Sequence, residues 1–288
     1  MKKIDGITFD SVKLPLTNLH YMKYGKGEPL IIFPATISRL ENWTNILKFL
    51  GQKYTAYFFE LPGHGKSKKF TSPYKNELVA ITYKDFINAL GLTKASIFGF
   101  SFGGITALKT IQLYPEKVDS LFLISPCVSY KAINFSPYRL ILLRSLLPFF
   151  INPFLQKKLI KIAHNEKKVN ALIKFLQRTG KVEKRMNIKN FLLNLPLDTL
   201  DTLVRQLYEV LTVDFDKDGW RKHDHITCYF AMSINDPVLN YEYTREFLKT
   251  HFNTFKDTYF EYNFHQFPKD FDFNYLNNNF GHLLKLID

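Results

Sequence analysis

The most constraining stretch of the 288-residue chain is Gly99-Phe100-Ser101-Phe102-Gly103-Gly104. It follows an apolar run, Ala95 to Phe98, that reads as a buried strand, and it opens Phe102 to Tyr114, which reads as a helix stopped by Pro115. A serine with a glycine two positions away on each side, at a strand-to-helix junction, implies a turn so tight that a Cβ at either glycine would strike the strand or the helix. Such a turn lifts the Ser101 hydroxyl above the carboxyl edge of a sheet. It also sets the following backbone N–H groups at a helix N-terminus, where negative charge is stabilised. The ordinary alternative is an incidental serine in a glycine-rich connector, and the strand and helix on either side speak against it.

The rest of residues 1–126 has the texture of a sheet wrapped by helices. Leu30 to Phe33, Thr55 to Phe59 and Leu121 to Ile124 read as further buried strands, and Leu19 to Tyr24, ended by Gly25-Lys26-Gly27, as an earlier antiparallel one. Asn42 to Leu50 and Tyr83 to Leu90 read as helices between them. From Cys127 to Lys222 the alternation stops and everything reads as helix. Strands return at Ile226 to Met232 and Thr258 to Phe264, followed by a helix around Tyr275 to Leu286. The expectation is an α/β domain made of residues 1–126 and 223–288, interrupted by a helical insertion at 127–222.

Charge marks the same segment. The chain carries a formal +13, but Lys131 to Asn190 holds 14 basic and 2 acidic residues, and the remainder is almost neutral. The segment has no nucleic-acid-binding motif and its apolar residues are aliphatic rather than a stacking platform, so no nucleic-acid partner is expected. Hydrophobic residues at 46% exclude a disordered chain. No run of 18 apolar residues escapes a charge or a proline, and Met1 to Val12 carries no apolar block, so neither a membrane span nor a signal peptide is read. With only Cys127 and Cys228 there is no disulfide framework, which suits a reducing compartment; a cytoplasmic location is the expectation.

Serine alone is a poor nucleophile and needs a base and an orienting carboxylate, in the order Ser, Asp, His for this architecture. Asp236, in Ser233-Ile234-Asn235-Asp236-Pro237, lies just past the carboxyl end of the strand Ile226 to Met232, where a side chain faces the site; a turn-forming Asn-Asp-Pro is the alternative. His265 directly follows the strand expected at Thr258 to Phe264 and is the candidate base. His282 competes, but falls inside the terminal helix pattern.

Taken together these features resemble the α/β-hydrolase fold family, in the branch with a helical cap inserted after the strand Leu121 to Ile124. Glu60-Leu61-Pro62-Gly63-His64-Gly65-Lys66-Ser67 is similar to that family's D-x-P-G-x-G-x-S turn, and Tyr114-Pro115-Glu116-Lys117-Val118 to its phrase before the following strand. The resemblance implies a mostly parallel eight-stranded sheet with helices on both faces and an all-helical cap. It implies a serine hydrolase with catalytic Ser101, Asp236 and His265, with no metal or organic cofactor, and an oxyanion hole formed by the backbone N–H groups of Thr36 and Phe102. The chain departs from the family at Pro34 and Ala35, where a His-Gly pair is usual. Glycine permits backbone conformations that alanine does not, and a half-formed hole would cost about 2.7–4 kcal/mol of transition-state stabilisation.

Other signals weigh less. Gly65-Lys66-Ser67 mimics the end of a phosphate loop, but Glu60 occupies its first glycine position. His223-Asp224-His225 lacks a third ligand at metal spacing and reads as polar residues leading into a strand. His64 reads as a surface or turn-packing residue, and Cys127 as a small buried hydrophobe or a pocket-lining one. Tyr138 to Phe154 is rich in Leu, Ile and Phe, broken by Pro148 and Pro153, and followed by Lys157, Lys158, Lys161, Lys167 and Lys168. It either roofs an apolar pocket, the ordinary reading, or lies on an anionic membrane surface. Both imply a substrate that is apolar or has an apolar portion, and the serine-hydrolase reading implies that the bond attacked is ester-like or a related acyl bond. The same triad could serve carbon–carbon or N-terminal amide hydrolysis or acyl transfer, and a catalytically weak ligand- or membrane-binding protein is the alternative of a different class. Nothing in the sequence speaks to oligomeric state.

Overall fold

The computed structural model describes residues 2–36, 39–178, 188–217, 219–263, 265 and 272–285. The chain runs β1 (Lys2–Ile4), β2 (Ile7–Lys13), β3 (Asn18–Tyr24), β4 (Pro29–Phe33), α1 (Thr44–Leu50), β5 (Thr55–Phe59), α2 (Asn76–Ala89), β6 (Ala95–Phe100), α3 (Phe102–Leu113) and β7 (Val118–Ile124). Then come α4 (Pro137–Phe150), α5 (Pro153–Ala163), α6 (Glu166–Arg178), α7 (Ile188–Leu193) and α8 (Leu197–Thr212), before β8 (His223–Ser233), α9 (Tyr241–His251), β9 (Phe252–Phe260) and α10 (Phe273–Lys285). One sheet takes the strands in the order β1-β2-β3-β5-β4-β6-β7-β8-β9. The pairs from β5 to β9 are parallel, and those joining β1, β2, β3 and β5 are antiparallel.

The α/β class with a mostly parallel sheet is as expected, but among the described residues there are nine strands rather than eight. The addition is β1, which pairs with β2 through the turn Asp5-Gly6, both residues at positive φ (47° and 80°). Asp-Gly suits the left-handed conformations that a two-residue hairpin loop requires. A second correction concerns β9. It spans Phe252–Phe260, not Thr258 to Phe264, and it is held in register with β8 from His223↔Phe252 to Ser233↔Phe260; Phe264 lies outside the described residues.

The central strands are apolar on both faces, and their side chains alternate between two cores. Ile31, Phe33, Ile97, Leu121 and Leu123 enter the core under α2, α3 and α9. Leu30, Ile32, Phe98, Phe122 and Ile124 enter the core under α1 and α10. Burial on both faces fixes the register of these strands, because a one-residue slip would exchange the two sets.

The helices α4–α8 stand between β7 and β8. Where the chain leaves and returns, Ser129 pairs with Asp214, and the Lys131 Nζ lies 3.0 Å from Asp214 Oδ2. α8 sits on the turn after β5: Thr199 Oγ1 donates to the Gly63 carbonyl at 2.9 Å, and a Cβ at Gly63 would lie 2.2 Å from Thr202 Oγ1. α4 and α5 meet at 95°. Asn152 caps α5 by accepting the N–H groups of Phe154 and Leu155, with Pro153 at the first helical position. Among the described residues no single helix is long and apolar enough to cross a membrane.

Candidate active site

Ser101 stands between β6 and α3 at φ 51°, ψ −112°, a conformation that non-glycine residues rarely hold. Backbone hydrogen bonds fix it there. Its N–H donates to the Ile124 carbonyl at 3.1 Å, and its own carbonyl accepts the N–H groups of Gly104 at 2.9 Å and Cys127 at 3.0 Å. The flanking glycines are needed for space. A Cβ at Gly99 would lie 2.9 Å from the Gly103 carbonyl oxygen, and one at Gly103 would lie 2.2 Å from that of Phe33. The same Cβ would lie 2.8 Å from the Pro34 carbonyl oxygen, so the end of β4, which leads to Thr36, is seated against the start of α3, whose first residue is Phe102.

Asp236 lies in the turn after β8, with its side chain fully buried. Its Oδ1 accepts the N–H groups of Val238 at 2.8 Å and Leu239 at 3.0 Å, so the carboxylate does form a turn. Its Oδ2 is left to meet His265 Nδ1 at 2.8 Å. The other ring nitrogen, Nε2, lies 2.8 Å from Ser101 Oγ. The structure therefore joins Ser101, His265 and Asp236 in one chain of hydrogen bonds. Its polarity follows from the carboxylate: an acceptor at Asp236 orients Nδ1–H toward itself and leaves Nε2 as the acceptor facing the hydroxyl. His265 comes from the chain beyond β9 rather than directly off it, and its ring lies nearly parallel to that of Phe100 (6.1 Å, 22°). His282 lies within α10, against the Phe260 ring.

Some supports had no sequence signal. Asn134, just before α4, donates from Nδ2 to the Asp236 carbonyl at 3.0 Å, and Ile133 bridges Leu239, so the start of the helical insertion braces the carboxylate turn. Tyr262 stands near Asp236; burial, then that carboxylate, raises its phenol well above the usual range.

The turn after β5 supports the other side. Glu60 is buried; its carboxylate accepts the N–H groups of Lys66 at 2.7 Å and Leu40 at 3.4 Å, and burial raises its pKa against those two hydrogen bonds. Gly65 (φ +51°) leaves the room that this carboxylate fills. His64, expected at the surface or packed in the turn, is 2% exposed, and among the described residues neither ring nitrogen has a well-formed hydrogen bond. Burial pushes its pKa down to about 4, although the Thr36 and Pro62 carbonyls nearby favour the charged form. Cys127 is buried in the core with its thiol pushed up to about 12 by desolvation. His223 packs against Trp220 and Phe252, and His225 Nε2 lies 3.2 Å from the Pro115 carbonyl. An apolar cavity of about 50 Å³, lined by Ile46, Phe98, Phe122 and Leu276 among others, lies under α1 and α10 and includes none of Ser101, Asp236 or His265.

Comparison with known proteins agrees with this fold. Residues 28–241 match the profile of a family described as alpha/beta hydrolase fold. A relative, the 2-hydroxy-6-oxo-6-(2'-aminophenyl)hexa-2,4-dienoic acid hydrolase of Metapseudomonas resinovorans, is 33% identical over 107 residues, which is 36% of this chain and 37% of the relative. The chain thus spans well under half the length of that relative. Among solved structures, an epoxide hydrolase from Vigna radiata superposes with a TM-score of 0.70 at 13% identity, covering 100% of this chain and 99% of that one. Naproxen esterase from Bacillus subtilis superposes with a TM-score of 0.60 at 14% identity, covering 98% and 92%. At such identities the structural likeness speaks to the fold alone.

Proposed function

Because the chain belongs to the alpha/beta hydrolase fold family, we propose that it is a serine hydrolase that cleaves an ester-like bond of an apolar small molecule through an acyl-enzyme. The observation that carries this reading is the pair of 2.8 Å contacts that link Ser101 Oγ to His265 Nε2 and His265 Nδ1 to Asp236 Oδ2. Ser101 Oγ attacks the carbonyl while His265 takes its proton, and Asp236 orients the ring and stabilises the imidazolium. The oxyanion is held by the N–H of Phe102, at the positive end of α3, and by that of Thr36. His265 then returns its proton to the leaving oxygen, and a water activated by the same ring releases the acid.

The Pro34-Ala35 departure is compatible with this role. Pro34 is buried and the partly buried Ala35 packs against the core beneath α1, and the Gly103 contact ties the segment to α3. A serine at position 101 suits acyl transfer rather than the aspartate-ester chemistry of an epoxide hydrolase. The relative from Metapseudomonas favours a second reading for the same three residues, hydrolysis of a carbon–carbon bond beside a carbonyl. The helical insertion is proposed as the cap that sets substrate shape, and the cytoplasm as the place of action, where the free thiols of Cys127 and Cys228 would stay reduced.

Turnover of p-nitrophenyl esters of graded acyl length tests the reading. Activity with a preferred chain length, removed by Ser101→Ala, is the expected result. If no ester is turned over and a vinylogous diketone is cleaved, the carbon–carbon reading takes its place.

A further inference from the structure

α4 carries apolar residues on two sides, and only one of them is used. Leu140 and Leu147 pack against the core, and the Arg144 guanidinium lies 4.4 Å from the centre of the Tyr130 ring. The opposite stripe, at helical spacing, is bare: Tyr138 is 76% exposed, Ile141 65% and Phe149 66%. No residue of α4 is fully buried. After the 95° elbow the stripe continues with Phe154, 67% exposed, and then gives way to exposed Lys157, Lys158 and Lys161 on α5, with Lys158 Nζ lying over the Phe154 ring.

The elbow itself is firmly held. Buried Gln156 donates from Nε2 to the Phe150 carbonyl at 2.9 Å and to Asp201 Oδ1 at 3.1 Å, which fastens the α4–α5 junction to α8. The exposed stripe is therefore presented by a fixed corner.

Charge decides what fits it. Residues 137–163 contain five Lys and Arg and no Asp or Glu. Two copies meeting on this face would set like charges against each other, whereas an anionic surface with an apolar interior satisfies both the lysines and the aromatic and aliphatic stripe. We propose that the α4–α5 corner docks on the surface of an anionic lipid bilayer, with Tyr138, Ile141, Phe149 and Phe154 at the headgroup and acyl boundary and Lys157, Lys158 and Lys161 on the lipid phosphates. The docked helix is tethered through Asn134 to the Asp236 turn, so docking sets the candidate site close to the bilayer. The docking itself does not rest on the hydrolase reading.

Co-sedimentation of the full chain with phosphatidylcholine vesicles, with and without phosphatidylserine, tests the proposal. The wild-type chain is expected to pellet with phosphatidylserine vesicles and to be released by high salt, and Ser101→Ala is expected to pellet equally well. Ile141→Asp with Phe149→Asp, and separately the triple reversal of Lys157, Lys158 and Lys161 to Glu, are expected to weaken the partition about tenfold or more. Thermal melts of both variants are expected to match the wild type, because every altered side chain is exposed. Wild-type protein that stays in the supernatant with anionic vesicles overturns the proposal. So does binding that is equal without phosphatidylserine and insensitive to salt, or a dimer in light scattering that Ile141→Asp dissociates.

Discussion

Gly103 lies so close to Phe33 that a Cβ built on it would sit 2.2 Å from the Phe33 carbonyl oxygen. This contact joins the two segments that carry Thr36 and Phe102. Gly103→Ala must push β4 and α3 apart and is expected to cost about 3 kcal/mol, at the upper end for overpacked interiors. Gly91→Ala is the control: its φ of +72° is strained for alanine, but nothing lies within 4 Å, and its cost is expected to be about 1 kcal/mol. Urea denaturation compares the two, and equal midpoints would mean that the Gly103 contact is looser than described.

Asp236→Asn should separate structure from chemistry. An asparagine can still accept the Val238 and Leu239 N–H groups through its amide oxygen, so the turn survives. Its NH2 then faces His265 Nδ1 and forces the tautomer that carries hydrogen on Nε2, which cannot accept from Ser101. The expected loss in kcat on a p-nitrophenyl ester is about 10⁴-fold, with little change in the thermal midpoint.

Glu209 gives the fold an alkaline weakness where α8 meets α2. Its carboxylate accepts from Asn76 Nδ2 at 2.9 Å, and burial, then the nearby Glu77, raises its pKa from 4.5 to about 7 against Asn76 and Lys109. The unfolded chain gives up this proton near 4.5 and the folded one near 7, so between them the folded state binds more protons and stability falls as pH rises. The loss is about 2 kcal/mol by pH 8, allowing for partial solvent screening. Glu209→Gln is expected to remove that decline while leaving stability at pH 5 nearly unchanged, as urea midpoints across the range would record.

His64 acts at the other end of the scale. Its folded pKa of about 4 lies below the ordinary 6.5, so the unfolded chain binds the extra proton first, and stability falls as pH drops from about 6.5 toward 4. The full effect is about 3 kcal/mol. His64→Phe is expected to flatten the difference in unfolding free energy between pH 7 and pH 4.5 relative to wild type; an unchanged slope would mean that the ring is solvated.

The nucleophile turn could be read from the chain because sterics leave few alternatives: the same glycines that the spacing demands are those with no room for a Cβ. Asp236 could be read because it follows an apolar strand. For His265 the sequence misplaces the preceding strand, which reads as Thr258 to Phe264. β9 is an edge strand whose exposed Asn253, Thr254 and Lys256 break the apolar run that marks a buried strand. The aromatic residues that follow, Tyr259, Phe260 and Tyr262, carry the apolar texture instead. The β1–β2 hairpin at the other edge of the sheet carries no long apolar run either, and Asp5-Gly6 alone signals it. Asn134 and the α4 stripe depend on which face of a helix or loop meets the core, and spacing alone does not distinguish the packed Leu140 and Leu147 from the bare Ile141 and Phe149.

The most direct measurement is intact-mass and peptide mapping after reaction with a fluorophosphonate, with wild type, Ser101→Ala, His265→Ala and His282→Ala compared at equal concentration. One adduct on Ser101 is expected in the wild type and in His282→Ala, with none in Ser101→Ala and a rate reduced by about three orders of magnitude or more in His265→Ala. A wild-type serine that does not react, or labelling that persists in His265→Ala and vanishes in His282→Ala, would contradict the account.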